Sequence, residues 1–422
     1  MTAYRRRALS LTAAALLLVA LVFVWQGAAY GMRMLVEASC LALIALGLTI
    51  QWGYAGLFNA GIMGFVATAA FVSMLVSYPV NGAFWSSAGP AMLGKAGVYL
   101  LIGLALTVAA SQTHRLGLPA RFRTLLTLVV GAVAYLAVQS ALDPAAALIE
   151  SEARFVGGLG LPVWLGWLLG GLAAGVLGWA VGRITLGLRA DYMAIATLGI
   201  AEIVKAFLKN ADWLTKGTLT VSPLPWPVPT PNELGFVASR GAYLAVTATL
   251  IVIFYILLER AWDAPWGRMM RAIRDNELAA AAMGKDVNRR RLEMLVLGNV
   301  IIGIGGAALV TFSNIFDPGS FQPLNHTFLI WVMVILGGAG NNYGTILGAL
   351  IVYIVWVMSE PAALFLFQQG AELGNRAFGW EAPGDLATRA LQMRVFVIGL
   401  AITLVLRFAP RGLLPEKAVH HD

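Results

Sequence analysis

A long series of apolar runs, many of them close to the length of a membrane-spanning helix, dominates the sequence. About 20 consecutive apolar residues carry a helix across the hydrocarbon core of a bilayer. The runs are residues 8–25, 34–50, 54–77, 96–111, 124–142, 163–182, 190–208, 242–258, 292–312 and 395–406. A further run, 328–358, is too long for one crossing and is interrupted by GGAGNNYGT, so we predict two short helices there.

Such a chain cannot fold as a soluble domain. With 59% hydrophobic residues among 422, it carries more apolar surface than one core can bury, so lipid must be the solvent for much of it. We therefore predict an all-α integral membrane protein. The expected architecture is a polytopic helical bundle of about 10–12 membrane segments, with residues 1–422 forming a single transmembrane domain.

The first run could be mistaken for a signal peptide, because RRR at residues 5–7 precedes it. However, the run is longer than a usual signal core and ends in VWQGAAYG, a poor cleavage site, so we expect the first helix to be retained. The one cysteine, Cys40, lies inside an apolar run. No disulfide framework is possible, and the thiol is expected to be buried.

The chain has a net charge of +8, and most of its basic residues fall in loops on one side of the membrane. If the amino terminus is cytoplasmic and the chain crosses at each run, nineteen of the 29 basic residues fall inside. They are Arg5, Arg6, Arg7, Arg115, Arg121, Arg123, Arg183, Arg189, Arg260, Arg268, Arg271, Arg274, Lys285, Arg289, Arg290, Arg291, Arg407, Arg411 and Lys417. This positive-inside pattern indicates two cytoplasmic termini and requires two crossings within 328–358. It also removes the reason to expect a nucleic-acid partner.

No motif for catalysis or for a cofactor stands out. GPAMLGKA, residues 89–96, has the glycine and lysine spacing of a phosphate-binding loop. Ala96 stands where that loop needs a Ser or Thr for magnesium, and no strand precedes the motif. The histidines are scattered, without metal-ligand spacing, at His114, His326, His420 and His421. We predict no enzyme activity, no cofactor and no metal site.

Glycines mark two kinds of position. Gly171, Gly175, Gly178 and Gly182 recur on one side of a helix, a spacing that lets helices pack closely in lipid. Two other stretches, GYAGLFNAGIMG (53–64) and GGAGNNYGTILG (337–348), interrupt helices. Irregular backbone inside a bilayer must be buried or line a cavity, and paired broken helices are typical of transport pathways. Simple close packing explains these two stretches equally well.

The segment 188–210 places three ionisable residues in an apolar run. Asp191 is expected in the first turn of a helix, where the helix dipole favours it. Glu202 and Lys205 are three residues apart and can pair locally, and a carboxylate inside a membrane often faces a cavity. A structural ion pair and a pathway lining fit equally well. The residues we expect to line or gate a pathway are Asn59, Gly61, Thr197, Gly199 and Glu202.

The cytoplasmic loop 260–291 is the most charged part of the chain between two apolar runs. WDAPWGRMMRAIRDNELAAAAMG predicts one helix, with Asp263 as its cap, Pro265 in its first turn and Gly284 just past its end. The small side chains of residues 279–282 would let another protein approach closely. We interpret the segment as a docking helix for a cytoplasmic partner, the alternative being a solvated loop.

Together these motifs resemble the LivM-type permeases of branched-chain amino acid ABC importers. The resemblance rests on WGRMMRAIRDNELAAAAMG followed by DPGSFQP, on LRADYMAIATLGIAEIVK, on VMVILGGAGNNYGTILGA and on the tail RFAPRGLLP. It covers roughly residues 41–77 and 188–414. The pair of runs at 96–142 looks like extra material between the matching blocks.

The resemblance implies a type II importer-like permease with broken helices in a bacterial cytoplasmic (inner) membrane. The implied partners are a second, LivH-like permease subunit, two cytoplasmic ABC ATPases and an extracytoplasmic solute-binding protein. In that family a cytoplasmic coupling helix contacts the ATPases. The coupling candidates in this chain are Arg271, Arg274, Asp275, Glu277, Ala279, Ala280 and Gly284.

The chain departs from the family pattern at two places. Ala190 stands where the family usually has Gly, and KGTLTVSPLPWPVP replaces a Gly-Gly-Pro-like turn on the solute-receiving side. A urea or short-amide permease of the same superfamily is therefore an alternative to an amino acid permease. An ion-coupled secondary transporter using Glu202 and Lys205 and a purely scaffolding subunit are the competing classes, but a self-sufficient secondary transporter needs no docking helix.

Overall fold

The computed structural model describes residues 3–113, 119–379 and 384–416, and it confirms an all-α fold. Its helices are α1 Ala3–Gln26, α2 Ala28–Leu48, α3 Ile62–Ser77, α4 Gly82–Ser86, α5 Gly89–Ser111, α6 Ala120–Leu148, α7 Val163–Thr185, α8 Ala190–Asn210, α9 Asp212–Thr215, α10 Pro231–Leu234, α11 Phe236–Asp263, α12 Pro265–Asp275, α13 Glu277–Ala282, α14 Val287–Ser313, α15 Pro323–Gly337, α16 Asn342–Phe378 and α17 Leu386–Phe408. Within the described ranges the chain forms isolated bridges but no β-strand.

The helices agree with a multi-pass membrane protein. Among the described residues, 9 helices are long and apolar enough to cross a bilayer, and α3 and α15 are shorter apolar helices. The charged helix α8 has a similar length, 21 residues. The segment count therefore matches the expectation from the sequence. Cys40 is fully buried in α2, as predicted.

Two apolar runs fold differently from the expectation. The run 54–77 is helical only from Ile62, because Thr49–Tyr54 forms a π-helical turn and residues 56–61 are irregular. The run 328–358 does split at the glycine-rich turn between α15 and α16. Its second half is not short, since α16 continues for 37 residues to Phe378, past an internal Pro361.

Small residues set the spacing in the centre of the bundle, where α14 packs against α2, α3 and α7. A Cβ added to Gly171 would lie 2.6 Å from Ile304 Cγ1, and one added to Gly175 would lie 2.6 Å from Val300 Cγ2. A Cβ at Gly178 would overlap the side chain of Asn299. The glycine row of α7 thus has the packing role that its spacing predicts.

The two ends of the described chain meet at one end of the bundle. Asn341, in the turn before α16, donates from Nδ2 to the hydroxyl of Tyr4 (2.9 Å) and to the carbonyls of Leu414 (3.3 Å) and Pro415 (3.1 Å). We call this the tail end. The opposite, far end is marked by the bridge between Val221 and Phe316.

Helices α5 and α6 form a pair that packs mainly on itself. They pack tightly at Gly103, where an added Cβ would lie 2.7 Å from Ala134 Cβ. The pair joins the other helices through the turn Ile149–Ala153, which packs against α4 and α9. Its assignment as extra material between family blocks stays a prediction.

Candidate functional site

The two glycine-rich interruptions of the bundle touch each other. A Cβ added to Gly53 would overlap the backbone nitrogen of Gly340 and lie 2.8 Å from its Cα. Gly340 itself has φ +83°, a left-handed conformation that favours glycine. The hydroxyls of Thr49 and Thr345 are 2.8 Å apart, so side chains on both sides also bond across the contact. The sequence predicted two broken helices, and the structure brings them into direct contact.

A chain of two hydrogen bonds between side chains links this contact to α11. The hydroxyl of Tyr54 donates to Asn342 Oδ1 at 2.9 Å, and Asn342 Nδ2 donates to Glu259 Oε1 at 3.0 Å. Glu259 lies near the end of α11, next to the charged loop 260–291, which we call the coupling segment. The junction of the interrupted helices is therefore connected to the helix that leads into α12.

A buried amide network lies next to this junction. Asn59 Nδ2 donates to Gln51 Oε1 at 2.9 Å, and Gln51 Nε2 donates to Asn299 Oδ1 at 2.8 Å. Asn59 also accepts from the backbone nitrogen of Gly61 at 2.9 Å. All three amide side chains are 0% exposed. Buried amides of this kind hold irregular backbone in one conformation, because each lost partner leaves a polar group without water.

We expect Gln51→Leu to lower the free energy of unfolding by about 1–3 kcal/mol, since it leaves Asn59 and Asn299 without their partner in a dry environment. Thermal unfolding of the purified protein in detergent measures the effect. Gln112→Leu is the matched control, because Gln112 is exposed at the end of α5. Equal melting temperatures for the two variants would contradict this role of the network.

The five predicted pathway residues do not form one surface in this chain. Thr197 Oγ1 accepts from the backbone nitrogen of Ala60 at 3.1 Å, and a Cβ at Gly61 would overlap the carbonyl of Thr197. Asn59, Gly61 and Thr197 are therefore packed together, with Thr197 only 1% exposed. A cysteine at position 197 would face protein rather than water.

The remaining two pathway candidates lie on the open face of α8. A Cβ at Gly199 would meet nothing within 4 Å. Glu202 is 52% exposed and pairs with Lys205 at 3.1 Å, which confirms the local ion pair. Asp191 lies in the first turn of α8, as predicted. The side chains that face outward from the middle of α8 include, besides Glu202, the large apolar residues Ile195, Ile203 and Phe207.

The coupling segment is two helices rather than the single helix expected from the sequence. Asn276 has extended backbone, ends α12 and caps α13 by accepting from Ala279 N at 3.0 Å. The expected cap, Asp263, is instead the last residue of α11. Gly284 does lie just past the end, with φ +75°. The sequence does contain a signal for the start of α13. In NELA, residues 276–279, Asn276 is a residue type that strongly favours the N-cap position of a helix.

Arg274, at the end of α12, connects the coupling segment to both interrupted helices. Its guanidinium donates to the carbonyl of Gly53 and pairs with Glu416 in the tail at 3.1 Å. It also bonds Asp275 at 3.2 Å, and a Cβ at Gly340 would lie 3.5 Å from it. Burial raises the pKa of Glu416, and the charge of Arg274 offsets part of that rise. Arg274 thus lies between the first interruption, the glycine-rich turn before α16 and the tail.

The other coupling candidates divide between inward and outward positions. Arg271 lies over the ring of Trp262 at 4.3 Å, and Glu277 pairs with Arg291 at 2.8 Å, so both charges have partners within the chain. Ala280 is buried, contrary to the exposed alanine patch that we expected. A larger residue at Ala280 would disturb this chain's own packing, so substitutions there cannot report on docking.

Beside the exposed Glu277, two large apolar side chains face outward at α13. Leu278 is 82% exposed and Met283, just past the helix, is 79% exposed, while Ala279 and Ala282 lie exposed beside them. We call Leu278 and Met283 the apolar knobs. Neither residue was predicted to contact a partner, because the docking interpretation rested on the alanines and the charges. The signal was the presence of large apolar residues on both sides of a short alanine run in a polar loop.

A charged cavity of about 500 Å³ opens near the far end, between α2, α14, α15 and α16. Arg33 Nε pairs with Glu37 Oε1 at 3.0 Å, and the hydroxyl of Tyr353 donates to Glu37 Oε2 at 2.6 Å. The sequence analysis singled out neither charge. The signal was MRMLVE at the start of an apolar run, which places an i, i+4 pair on one helix face.

Comparison with known proteins agrees with the resemblance. A family model described as "Branched-chain amino acid transport system / permease component" matches residues 30–406. A probable branched-chain amino acid transport permease protein LivM of Methanocaldococcus jannaschii is 29% identical over 257 residues, which are 59% of this chain and 68% of the relative. The high-affinity branched-chain amino acid transport system permease protein LivM of Escherichia coli K12 is 27% identical over 215 residues, 46% of this chain and 50% of the relative.

The equally named protein of Salmonella typhimurium LT2 matches to the same extent, 27% over 215 residues. The chain thus spans about half the length of these two bacterial relatives, covering 50% of each. No solved structure matches the chain.

Proposed function

Since the chain belongs to the branched-chain amino acid transport permease family, we propose that it is a permease subunit of an ABC importer for branched-chain or related amino acids. The matched family is a transport permease component and not an enzyme family. The observation that carries the proposal is the connection at the tail end. There, Arg274 bonds the carbonyl of Gly53 in the first interruption and pairs with Glu416 in the tail, while α13 presents two apolar knobs outward.

The partners we propose at the tail end are two cytoplasmic ATPases. Leu278 and Met283 are large apolar side chains on a polar segment outside the apolar helices, and exposed apolar groups of this kind are typical of protein contacts. Motion of the partner would move α13, and through Arg274 it would move the junction of the interrupted helices.

The partner we propose for α8 is the second permease subunit. The open face of α8 carries Glu202 together with Ile195, Ile203 and Phe207. A carboxylate that faces lipid is expensive, whereas one at a subunit interface or beside a watery path is tolerated. We therefore propose that Gly199 and Glu202 line the path between the two subunits. Asn59, Gly61 and Thr197 would hold the loop behind that path.

The orientation we propose puts the tail end in the cytoplasm of a bacterial inner membrane. Arg268, Lys285 and Arg289 are exposed at this end, as the positive-inside rule requires of cytoplasmic loops. Both termini would then be cytoplasmic, because Tyr4 and Leu414 meet at Asn341. The far end would face an extracytoplasmic solute-binding protein.

The test replaces one apolar knob. We expect Leu278→Asp to reduce co-purification of the ATPases at least about tenfold, corresponding to about 1.4 kcal/mol, and to abolish leucine uptake in cells that express all subunits. The permease itself should insert and express normally, because the exposed side chain supports no packing in this chain.

Leu219→Asp is the matched control for co-purification, since Leu219 is 72% exposed but lies at the far end, next to the bridge that Val221 forms. Normal ATPase recovery and normal uptake with Leu278→Asp would contradict docking at α13. Uptake of leucine that continues without the ATPases and collapses with the proton gradient would instead indicate a secondary transporter.

A further inference from the structure

An apolar groove of about 300 Å³ lies beside the first interruption, between α8, α15 and α17. Along α15 it extends from Pro323 to Ile335, a distance of about 18 Å at the rise of an α-helix. Among the described residues that line it, none is charged. The length of the groove is comparable with half of the ~30 Å hydrocarbon core, the depth that the acyl chains of one lipid leaflet occupy.

Aromatic rings at the first interruption and on α15 form one wall of this groove. The ring of Trp331 lies 4.6 Å from that of Trp52 and 4.3 Å from that of Phe58, measured between centroids. The indole nitrogen of Trp331 donates to the carbonyl of Asn59 at 3.2 Å, so the polar atom of this ring is satisfied within the chain. Phe58 is 40% exposed and Phe328 is 58% exposed. These rings offer apolar surface to an aliphatic chain.

Two arginines lie at the tail-end mouth of the groove. Arg407 directly follows the lining residue Leu406. Arg411 directly precedes Gly412, whose added Cβ would lie 2.9 Å from the carbonyl of the lining residue Ile335. Both arginines are exposed, and within the described part of the chain neither forms an ion pair. Their guanidinium groups are therefore available to an external anion.

The other charges near this mouth leave the positive charge of the two arginines uncompensated. Glu416, the carboxylate of the tail, is already paired with Arg274. Arg189 and Asp191, both exposed at the start of α8, carry opposite charges and offset each other. The ion pair in the middle of α8 is likewise neutral. An anion at the mouth would therefore meet a net positive potential.

We propose that the groove binds an anionic phospholipid, with its phosphate at Arg407 and Arg411 and one acyl chain along α15. Guanidinium groups bind phosphate through paired hydrogen bonds, and basic pockets between membrane helices bind anionic headgroups. The acyl chain covers Phe58 and thereby closes the outer side of the irregular loop, whose backbone must be kept away from lipid unless it is satisfied. The inference goes beyond the proposed import function and does not require it.

Native mass spectrometry of the purified full chain in detergent measures the bound lipid. We expect dioleoylphosphatidylglycerol to bind at least about tenfold more tightly than dioleoylphosphatidylcholine, because the two lipids share their acyl chains and only the first has a net negative charge. Arg407→Gln combined with Arg411→Gln should abolish this preference. Arg5→Gln combined with Arg6→Gln is the matched control and should keep it, since it removes the same charge from the exposed start of α1, outside the groove.

A second pair of variants tests the position of the acyl chain. Leu406→Trp narrows the groove, whereas Leu404→Trp places the same ring on a residue of α17 that is also exposed but does not line it. We expect only Leu406→Trp to weaken the binding of phosphatidylglycerol, by several-fold. In addition, this lipid should raise the unfolding temperature of the parent but not that of the double arginine variant, because a ligand of the native state stabilises it.

Four results would overturn the proposal. They are equal binding of the two lipids, an unchanged preference in the double arginine variant, equal binding by the two tryptophan variants, and loss of the bound phosphatidylglycerol when the complete importer assembles. The last result would mean that the second permease subunit occupies the groove instead. Leucine uptake in proteoliposomes is measured separately. Absence of uptake with selective lipid binding retained would refute only the import function, whereas normal uptake without selective binding would refute only the lipid site.

Discussion

Gly53→Ala is expected to abolish transport and to lower the free energy of unfolding by about 1–3 kcal/mol, the usual cost of overfilling a packed site. A Cβ at this position would overlap the backbone of Gly340, and backbone atoms cannot move aside as a flexible side chain can. The methyl group would push apart the two interruptions whose contact also includes the Thr49–Thr345 bond. Uptake assays and thermal unfolding of the purified variant measure the two effects.

Gly97→Ala is the control for this substitution. Gly97 lies within the helix α5, and an added Cβ there would meet nothing within 4 Å. Because alanine favours helix, this variant should be as stable as the parent or slightly more so. Wild-type uptake by Gly53→Ala would show that transport does not need the interruptions in contact.

Arg274→Met is expected to reduce uptake at least tenfold while leaving the permease bound to its ATPases. The substitution keeps much of the side-chain length but removes the donor to Gly53 and the partner of Glu416, two groups that lie partly buried at the tail end. Loss of a charged hydrogen bond costs about 1.5–3 kcal/mol, enough for a tenfold or larger effect on a coupled step. ATP hydrolysis should continue without solute uptake.

Arg268→Met is the control, since Arg268 is exposed on the same helix and its guanidinium bonds the nearby carbonyl of Asp263, at the end of α11. The two tail-end variants separate docking from transmission. Leu278→Asp should lose the ATPases, whereas Arg274→Met should retain them and lose only the coupling. Full uptake with Arg274→Met would mean that motion reaches the membrane helices by another route.

The sequence predicted the parts of this fold that depend on local pattern. Apolar length predicted the crossings, and glycine spacing predicted the close packing of α7 on α14. In the coupling segment, Gly284 was correctly predicted to lie just past a helix end. The helix start was wrongly predicted at Asp263, because Asn276, a strong N-cap residue, was assigned to a helix interior. Two start signals in one segment are a reason to expect two helices.

Sequence pattern could not predict which side chains of the short or charged helices face the protein interior. Ala280 and its neighbour Ala279 are chemically identical, yet only Ala280 faces the protein, and this depends on how α13 lies against α14. Thr197 was expected at a pathway together with the interrupting glycines and Glu202, whereas its side chain is buried and accepts from Ala60 in the loop before α3. The far-end cavity brings together residues from α2 and α16. Its bonded pair, Tyr353 and Glu37, is separated by 316 positions in the sequence, so no local pattern could predict the contact.

The length of α16 determines how a soluble protein can reach the far end. At about 1.5 Å per residue its 37 residues span roughly 55 Å, much more than the ~30 Å of a hydrocarbon core. Near its end the helix carries exposed polar side chains, so this part of it extends past the lipid instead of tilting within it; they are Gln368, Gln369, Glu372, Asn375 and Arg376. Tyr353 and Trp356 of the same helix line the charged cavity, so the extension rises above one rim of it. The solute-binding protein that we propose for the far end would therefore have to leave room for about 16 Å of helix beside the cavity opening.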